Sequence, residues 1–195
     1  MTSSPSDTEA AAHPLQSFAD HVAEAVGGTA EIQFDTIKLR VPADQWADAL
    51  TTARDDLDLV FFSWLSAIDW ANDVEVGDTL KEGIDERIEL LCTVGDLTEG
   101  RRVTFSTDLS NDKPSVSSLV EVYAGANWHE REAAEMFGIV FKGHPNLEHL
   151  YLLDSFIGNP LRKSYPLLSR EVKPWPGSVD VEAMPEKPST ENPGA

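Results

Sequence analysis

The hydrophobic positions of this chain change period several times, and each change marks an element. From Pro14, residues Leu15, Phe18, Val22 and Val26 recur at helical spacing and stop at Gly27 and Gly28, which predicts an amphipathic helix closed by glycine. The stretch "AEIQFDTIKLRV" (30–41) alternates in two parts broken near Asp35 and Thr36, so it reads as a strand pair or one bulged strand. "PADQWADALTTARDDL" then opens with Pro42 at a helix entrance and repeats Trp46, Leu50, Ala53 and Leu57 on one face. The aromatic and branched run "LDLVFFSWLSAIDW" (57–70) predicts a buried strand leading into a turn or short helix.

A polar, glycine-bearing loop follows at 71–83. Beyond it, "DERIELLCTV" places Ile88, Leu90, Cys92 and Val94 on one side, and "RRVTFSTDL" places Val103 and Phe105 on one side after a turn at Gly100. The two are expected to pair antiparallel. "PSVSSLVEVYAGAN" (114–127) has Val116, Leu119, Val120 and Tyr123 on one helical face and is interrupted by Gly125. Asn127 with Glu130 three residues later has the form of a capping box, so the next helix is expected to begin at Trp128 and to end at Gly138. Together these predict an α+β fold: a small, mostly antiparallel sheet with helices packed on it, plus an extended C-terminal arm.

The same patterning sets the domain organisation. Residues 1–13 carry no apolar period and read as a disordered leader; 14–152 form the α+β domain; 153–195 form an extended arm that grades into a proline-rich acidic tail. At 195 residues, that leaves room for one core.

Charge and cysteine content narrow the function. Thirty-four acidic against fifteen basic residues give a formal charge of -19, which repels both nucleic-acid phosphates and anionic headgroups. The apolar runs fall short of the roughly 20 residues a spanning helix needs, and the start of the chain has neither a basic nor an apolar targeting region. A cytoplasm-like compartment is expected. Cys92 is the one cysteine, so the chain holds no internal disulfide and lacks the ligands to bind an iron–sulfur cluster by itself. Neither a Rossmann nor a P-loop glycine motif is present.

The chemically loaded segment is "WHEREAAEMFGIVFKGHPNLEHLYLL", starting at Trp128. One reading is a metal or hydrolytic site built from His129, Glu132, Glu135, His144 and His149. The order His-x-x-Glu occurs once, however, and "HEREA" has alanine where an H-E-x-x-H motif needs its second histidine. Paired carboxylates among Glu130, Glu132, Glu135 and Glu148 would suit general acid/base work. The plain alternative is a solvated helix face, with Arg131 and Glu135 paired at i, i+4. Yet Met136, Phe137, Ile139, Val140, Phe141 and the leucines from 147 to 153 add more apolar area than the expected sheet covers, which points to an interaction surface. "NPLRKSYP" (159–166) is either a loop with incidental charge ended by Pro166 or a segment whose prolines present Arg162 and Lys163 to acidic groups on a neighbour.

These residues resemble a known family. "ANWHEREAAEMFGIVFKGHPNLEHLYLL" followed by "GNPLRKSYP" is similar to the signature of the C subunit of the respiratory NADH:quinone oxidoreductase, complex I. The matching positions include Trp128, Glu130, Arg131, Glu132, Phe137, Gly138, Ile139, Phe141, Gly143, His144, Pro145 and Leu147, then Gly158, Pro160, Leu161, Arg162, Lys163, Tyr165 and Pro166. Departures from the family pattern stand at Glu135 (aspartate in the family), Glu148 and His149, Asn159 and Ser164.

The resemblance implies a cofactor-free component of the peripheral arm, on the cytoplasmic side of a bacterial cell membrane. It would dock against the D subunit of the complex and near the cluster-bearing and quinone-site subunits. FMN, iron–sulfur clusters, NADH and quinone belong to the assembled complex, which couples electron transfer to proton translocation. Trp128, Glu130, Arg131, Glu132, Phe137, Gly138, Phe141, His144, Pro145, Arg162, Lys163 and Tyr165 are the expected partner-interface residues, with no catalytic group among them. Two alternatives remain: the equivalent component of a membrane-bound hydrogenase or other non-NADH dehydrogenase, and a free-standing metal-dependent hydrolase.

Overall fold

The computed structural model describes residues 13–71 and 85–166. Helix α1 spans Gln16–Val26 and buries Ala19, Val22 and Val26, and it ends where Gly27 takes the left-handed conformation (φ 71°). The alternating stretch resolves into two strands, β1 (Thr29–Gln33) and β2 (Thr36–Arg40), paired antiparallel across a two-residue turn. Helix α2 (Trp46–Asp55) follows and buries Trp46, Ala49, Leu50 and Ala53.

Strands β3 (Phe61–Asp69), β4 (Ile88–Gly95) and β5 (Arg102–Leu109) complete a five-stranded sheet in the order β1-β2-β5-β4-β3. Every pairing is antiparallel except β2 with β5. The register places Leu39, Phe105, Cys92 and Leu65 side by side across four strands, and all four are buried. Side chains of this size contribute about 1.5–3 kcal/mol each when fully buried. The other face is polar, and there Glu89, only 1% exposed, is matched by Lys38 at 2.6 Å, Arg40 at 3.4 Å and the Trp70 indole N–H at 2.9 Å. Burial opposes charge on Glu89, but these partners outweigh it and hold the carboxyl below its ordinary range.

Three expectations change. Within the run at 57–70, Phe61–Asp69 form an edge strand with Leu65 and Asp69 as its buried members, and the turn or short helix expected after it falls largely outside the described residues. Its uncovered side is taken up by helix α3 (Ala126–Phe137), which packs on it.

The helix expected over 114–127 is absent: Ser115–Ser117 form a short strand β6, which pairs parallel with β7 (Val140–Lys142) as a second, two-stranded sheet. Two bonds explain this, one local and one from helix α3. Ser118 Oγ accepts from the Val120 amide, and the Leu119 amide is spent on the Glu130 carboxylate instead of a preceding carbonyl. Val116, Leu119 and Tyr123 are buried nonetheless, and the Tyr123 hydroxyl donates to the Leu59 carbonyl at 2.9 Å.

The capping box does not form either. Helix α3 begins two residues earlier than expected, with Gly125 as its N-cap and no side-chain cap, and Glu130 turns inward. The leader (1–13, apart from His13), the 71–83 loop beyond Ala71 and the tail from 167 lie outside the described residues.

Candidate functional site

Helix α3 positions the loaded segment. Its buried stripe is Ala126, Glu130, Ala133 and Phe137, spaced 4, 3 and 4 apart, so Glu130 is the polar member of an apolar row. It is fully buried and accepts from the Ser118 hydroxyl at 2.6 Å and from the Leu119 amide at 2.5 Å. Burial dominates and pushes its carboxyl up to about 7, with the two hydrogen bonds only partly offsetting that rise.

Glu135 does a different job with the same functional group. It accepts backbone amides from Leu150 and Tyr151 at 3.0 Å and from Leu152 at 2.5 Å, so one carboxylate folds a whole turn of the following segment onto α3. Desolvation works against the charge here too, yet these amides, with His149 nearby, hold it below the ordinary carboxylate range. Arg131 reinforces the turn from one helical turn back, donating to the carbonyls of Glu148 at 2.9 Å and His149 at 2.8 Å. The expected Arg131–Glu135 pair is therefore replaced by two separate clasps on the same loop. Glu132 accepts from the Tyr151 hydroxyl at 3.1 Å.

The end of α3 shows why Gly138 and the "NPLR" stretch occur together. Gly138 adopts φ 73° and returns its amide to Ala134, which leaves the last helical carbonyls without intrahelical donors. Asn159 Nδ2 donates to Glu135 O at 2.9 Å, the Leu161 amide to Met136 O at 3.1 Å, and Arg162 Nε to Phe137 O at 2.6 Å. A Cβ at 138 would lie 2.8 Å from Asn159 Oδ1. Arg162 also donates to Asn111 O at 3.0 Å. Lys163 bonds to Asp69 through its amide at 2.9 Å and to Ala71 O through Nζ at 3.2 Å.

Arg162 and Lys163 are thus engaged by this chain's own backbone and Asp69 rather than held out as a free pair. A full-length Arg162→Ala protein is accordingly expected to lose about 1.5–3 kcal/mol of stability, since hydrogen bonds from charged groups contribute in that range. A thermal melt checks this, and an unchanged midpoint would show the cap to be idle.

The histidines do not gather. His129 Nδ1 lies 3.2 Å from the Leu65 carbonyl with its ring edge-on to Phe62, while His144 reaches the Asn127 carbonyl at 3.3 Å and accepts the Asn146 amide at 3.0 Å. Among the described residues, no group of three or more His, Cys, Asp or Glu is placed to hold a metal ion.

Other expected interface residues divide by exposure. Phe137 and Phe141 lie in the core with Glu130 and shape the face from beneath. Trp128 is 57% exposed, with the Arg131 guanidinium 5.4 Å from its ring centre, Pro145 is exposed, and Tyr165 stacks on Phe156 at 6.0 Å. Outward from α3 and the clasped segment stand Val140, Leu147, Tyr151, Leu153, Ile157 and Leu161, with Leu153 76% and Ile157 89% exposed. Beside them lies an open cleft of about 350 Å³ lined by Arg131, Ile139, Leu152, Phe156 and Asn159, among others. Glu130 and Glu135 are turned in, while Trp128, Val140, Leu147, Tyr151, Leu153 and Ile157 are exposed beside Glu148, His149 and Asp154.

The family model described as "Respiratory-chain NADH dehydrogenase, 30 Kd subunit" matches residues 39–171. The chain belongs to this family. It is 35% identical over 157 residues to the C subunit of NADH-quinone oxidoreductase from Rhodobacter capsulatus, covering 78% of this chain and 73% of that one. The corresponding protein of Roseiflexus castenholzii is 33% identical over 151 residues, with 76% and 80% covered.

Among solved structures, a trypsin-resistant fragment of Nqo5 superposes with a TM-score of 0.57 at 20% identity, covering 68% of this chain and 98% of that one. A chain of the membrane-bound sulfane sulfur reductase, an archaeal respiratory membrane complex, gives a TM-score of 0.52 at 20% identity, with 72% and 77% covered. Both structural likenesses are likenesses of the α+β fold. Helix α3, strand β7 and the Arg162 clasp all fall inside the span that the family model matches.

Sequence reading missed Asn159, Leu161, Ser118 and Asp69 as partners of the segment. Only Glu130 had a signal, its place in the 126, 130, 133, 137 row.

Proposed function

We propose that this chain is the C subunit of a proton-pumping NADH:quinone oxidoreductase, a structural part of the peripheral arm that docks against the D subunit near the cluster-bearing and quinone-site subunits. One observation carries the reading. The groups that could do chemistry, Glu130, Glu135, Arg131 and Arg162, are each consumed in bonds within the chain, and what they build is a platform that exposes Trp128, Val140, Leu147, Tyr151, Leu153, Ile157 and Leu161 with Glu148, His149 and Asp154 among them. Large exposed apolar patches rimmed by polar groups mark interaction surfaces. Trp128, Tyr151 and Arg131 are of the residue types that dominate binding energy at such surfaces.

The cofactor role fits the same picture. Cys92 is wholly buried, which pushes its thiol far up and leaves it no thiolate to offer, and a cluster needs four such ligands. FMN, the clusters, NADH and quinone are therefore assigned to neighbouring subunits, and this chain supplies position. Among the described residues no helix is long and apolar enough to cross a membrane. Attachment to the cytoplasmic side of the membrane would then run through the other subunits.

The decisive experiment is affinity purification of the tagged full chain from membranes in mild detergent. Recovery of flavin and iron–sulfur polypeptides with NADH:quinone activity is the expected result. Recovery of a nickel–iron or sulfur-reducing enzyme would move the chain to a related membrane complex, and recovery of nothing would sink the docking reading. Leu153→Asp combined with Ile157→Asp should cut co-purified partners more than about ten-fold. The isolated melt should stay within about 0.5 kcal/mol, because surface substitutions rarely cost more.

A further inference from the structure

The end of the main sheet where β3 begins carries a second apolar surface. Ile37 pairs with Val103 and Phe61 with Gly95, so the β1–β2 turn, the β4–β5 turn and the start of β3 come together at one end of the sheet. Exposed there are Phe34 at 92%, Leu97 at 70%, Phe61 at 50% and Val60 at 49%. With neighbouring strands about 4.8 Å apart, these side chains occupy a strip on the order of 20 Å wide. Helix α3 begins alongside this end of β3, with His129 edge-on to Phe62 at 5.3 Å, and runs toward the other end, where Asp69 holds Lys163; at about 3.3 Å per residue the strand puts that clasp roughly 25–30 Å from Phe61.

Phe34 is the unusual member. It and Asp35 have φ of 50° and 57°, the left-handed values of a two-residue hairpin turn that favours Asn-Gly. A bulky side chain there is strained, and an exposed ring adds unfavourable hydration. The tip is nonetheless pinned: His13 Nε2 lies 2.9 Å from Asp35 Oδ1, and Thr36 Oγ1 donates to the Phe34 carbonyl at 3.4 Å. An aromatic side chain 92% exposed on a strained turn gains from being covered. Asp35 flanks it in the turn, Glu99 lies in the β4–β5 turn and Asp58 just ahead of β3; of the cations at this end, Arg101 is taken up by Asp96 and Glu99 and Arg102 is exposed, so the carboxylates outnumber them.

We propose that this sheet end is a second docking surface, seating another protein than the one on the α3 platform, through an apolar pocket bordered by lysine or arginine. The acidic border and the formal charge of -19 select a cationic protein over a second copy of this chain or an anionic bilayer. The claim that the two occupants differ rests on the docking reading above; the Phe34 surface itself does not. The chain would then act as a spacer that fixes the distance between two neighbours.

The test places photoreactive benzoylphenylalanine at position 34, 97 or 153 of the full chain in native membranes. Crosslinks from 34 and 97 should reach one polypeptide, at peptides where Lys or Arg flanks apolar residues, and crosslinks from 153 a different one. Phe34→Asn supplies the second measurement. The variant's own melting midpoint should rise as the turn strain is relieved, while crosslinking from 97 falls several-fold. Crosslinks from 34 to a second copy of this chain, to lipid, to the polypeptide reached from 153, or to nothing would each overturn the proposal. Loss of the 153 crosslink alone would count against the α3 platform and not against this surface.

Discussion

Replacing Glu135 by Ala should lower the stability of the full chain by roughly 2–3 kcal/mol, a fall of about 5–10 °C in melting midpoint for a protein of this size. The reason is geometric. One carboxylate receives the amides of Leu150, Tyr151 and Leu152, and alanine leaves those donors facing a methyl group. Limited proteolysis should then cut within 147–158, a stretch that wild type protects through this clasp and through Arg131.

The pH dependence has a definite sign. The folded-state carboxyl of Glu135 is held below its ordinary value, so its contribution is fully present above about 4.5, the unfolded value, and is lost as pH falls through the folded one. The gap between wild type and Glu135→Ala should therefore close in acid. A gap that is absent at neutral pH, or that widens in acid, would show that the clasp contributes nothing. Partner binding should weaken as well, since Tyr151 and Leu153 are presented by this same turn.

The second large effect has the opposite sign. Glu130 has its carboxyl pushed up to about 7 from an ordinary value of 4.5, so the folded protein prefers it protonated. Its favourable state is fully present below the unfolded value and is lost as pH rises through about 7. Glu130→Gln stays neutral at every pH and keeps a carbonyl to accept from Ser118 and Leu119. Relative to that variant, wild type should lose on the order of 3 kcal/mol between pH 4.5 and pH 8. Urea unfolding of both proteins across this range measures the difference directly. Parallel profiles would mean that the Glu130 pocket is wetter than its full burial implies. Two glutamates five residues apart on one helix would thus respond to pH in opposite directions because one meets apolar walls and the other meets three amides.

That contrast shows how much was legible in the residues themselves. The helical stripes of α1 and α2, the turn after Gln33 and the β4–β5 pair follow from side-chain periodicity, because a helix or a half-buried strand must put its apolar side chains on one face. The stop at Gly138 is equally local, since φ 73° is a backbone demand that glycine meets best. The order of residues around Trp128 and Arg162 was enough to indicate the family.

The false helix at 114–127 marks the boundary of such reasoning. Its apolar spacing fits a helix, but Glu130 takes an amide that the helix would need, and no local pattern reveals a donor–acceptor pair formed eleven residues away. Asn159, Leu161 and Arg162 likewise cap α3 from more than twenty residues downstream. The sequence by itself determined where regular elements begin and which side chains they bury, because sterics and hydrophobic periodicity act over a few residues. Tertiary structure alone decided which charged groups are spent inside the molecule and which apolar groups remain outside. Hydrogen-bond satisfaction depends on what the whole fold brings within about 3 Å.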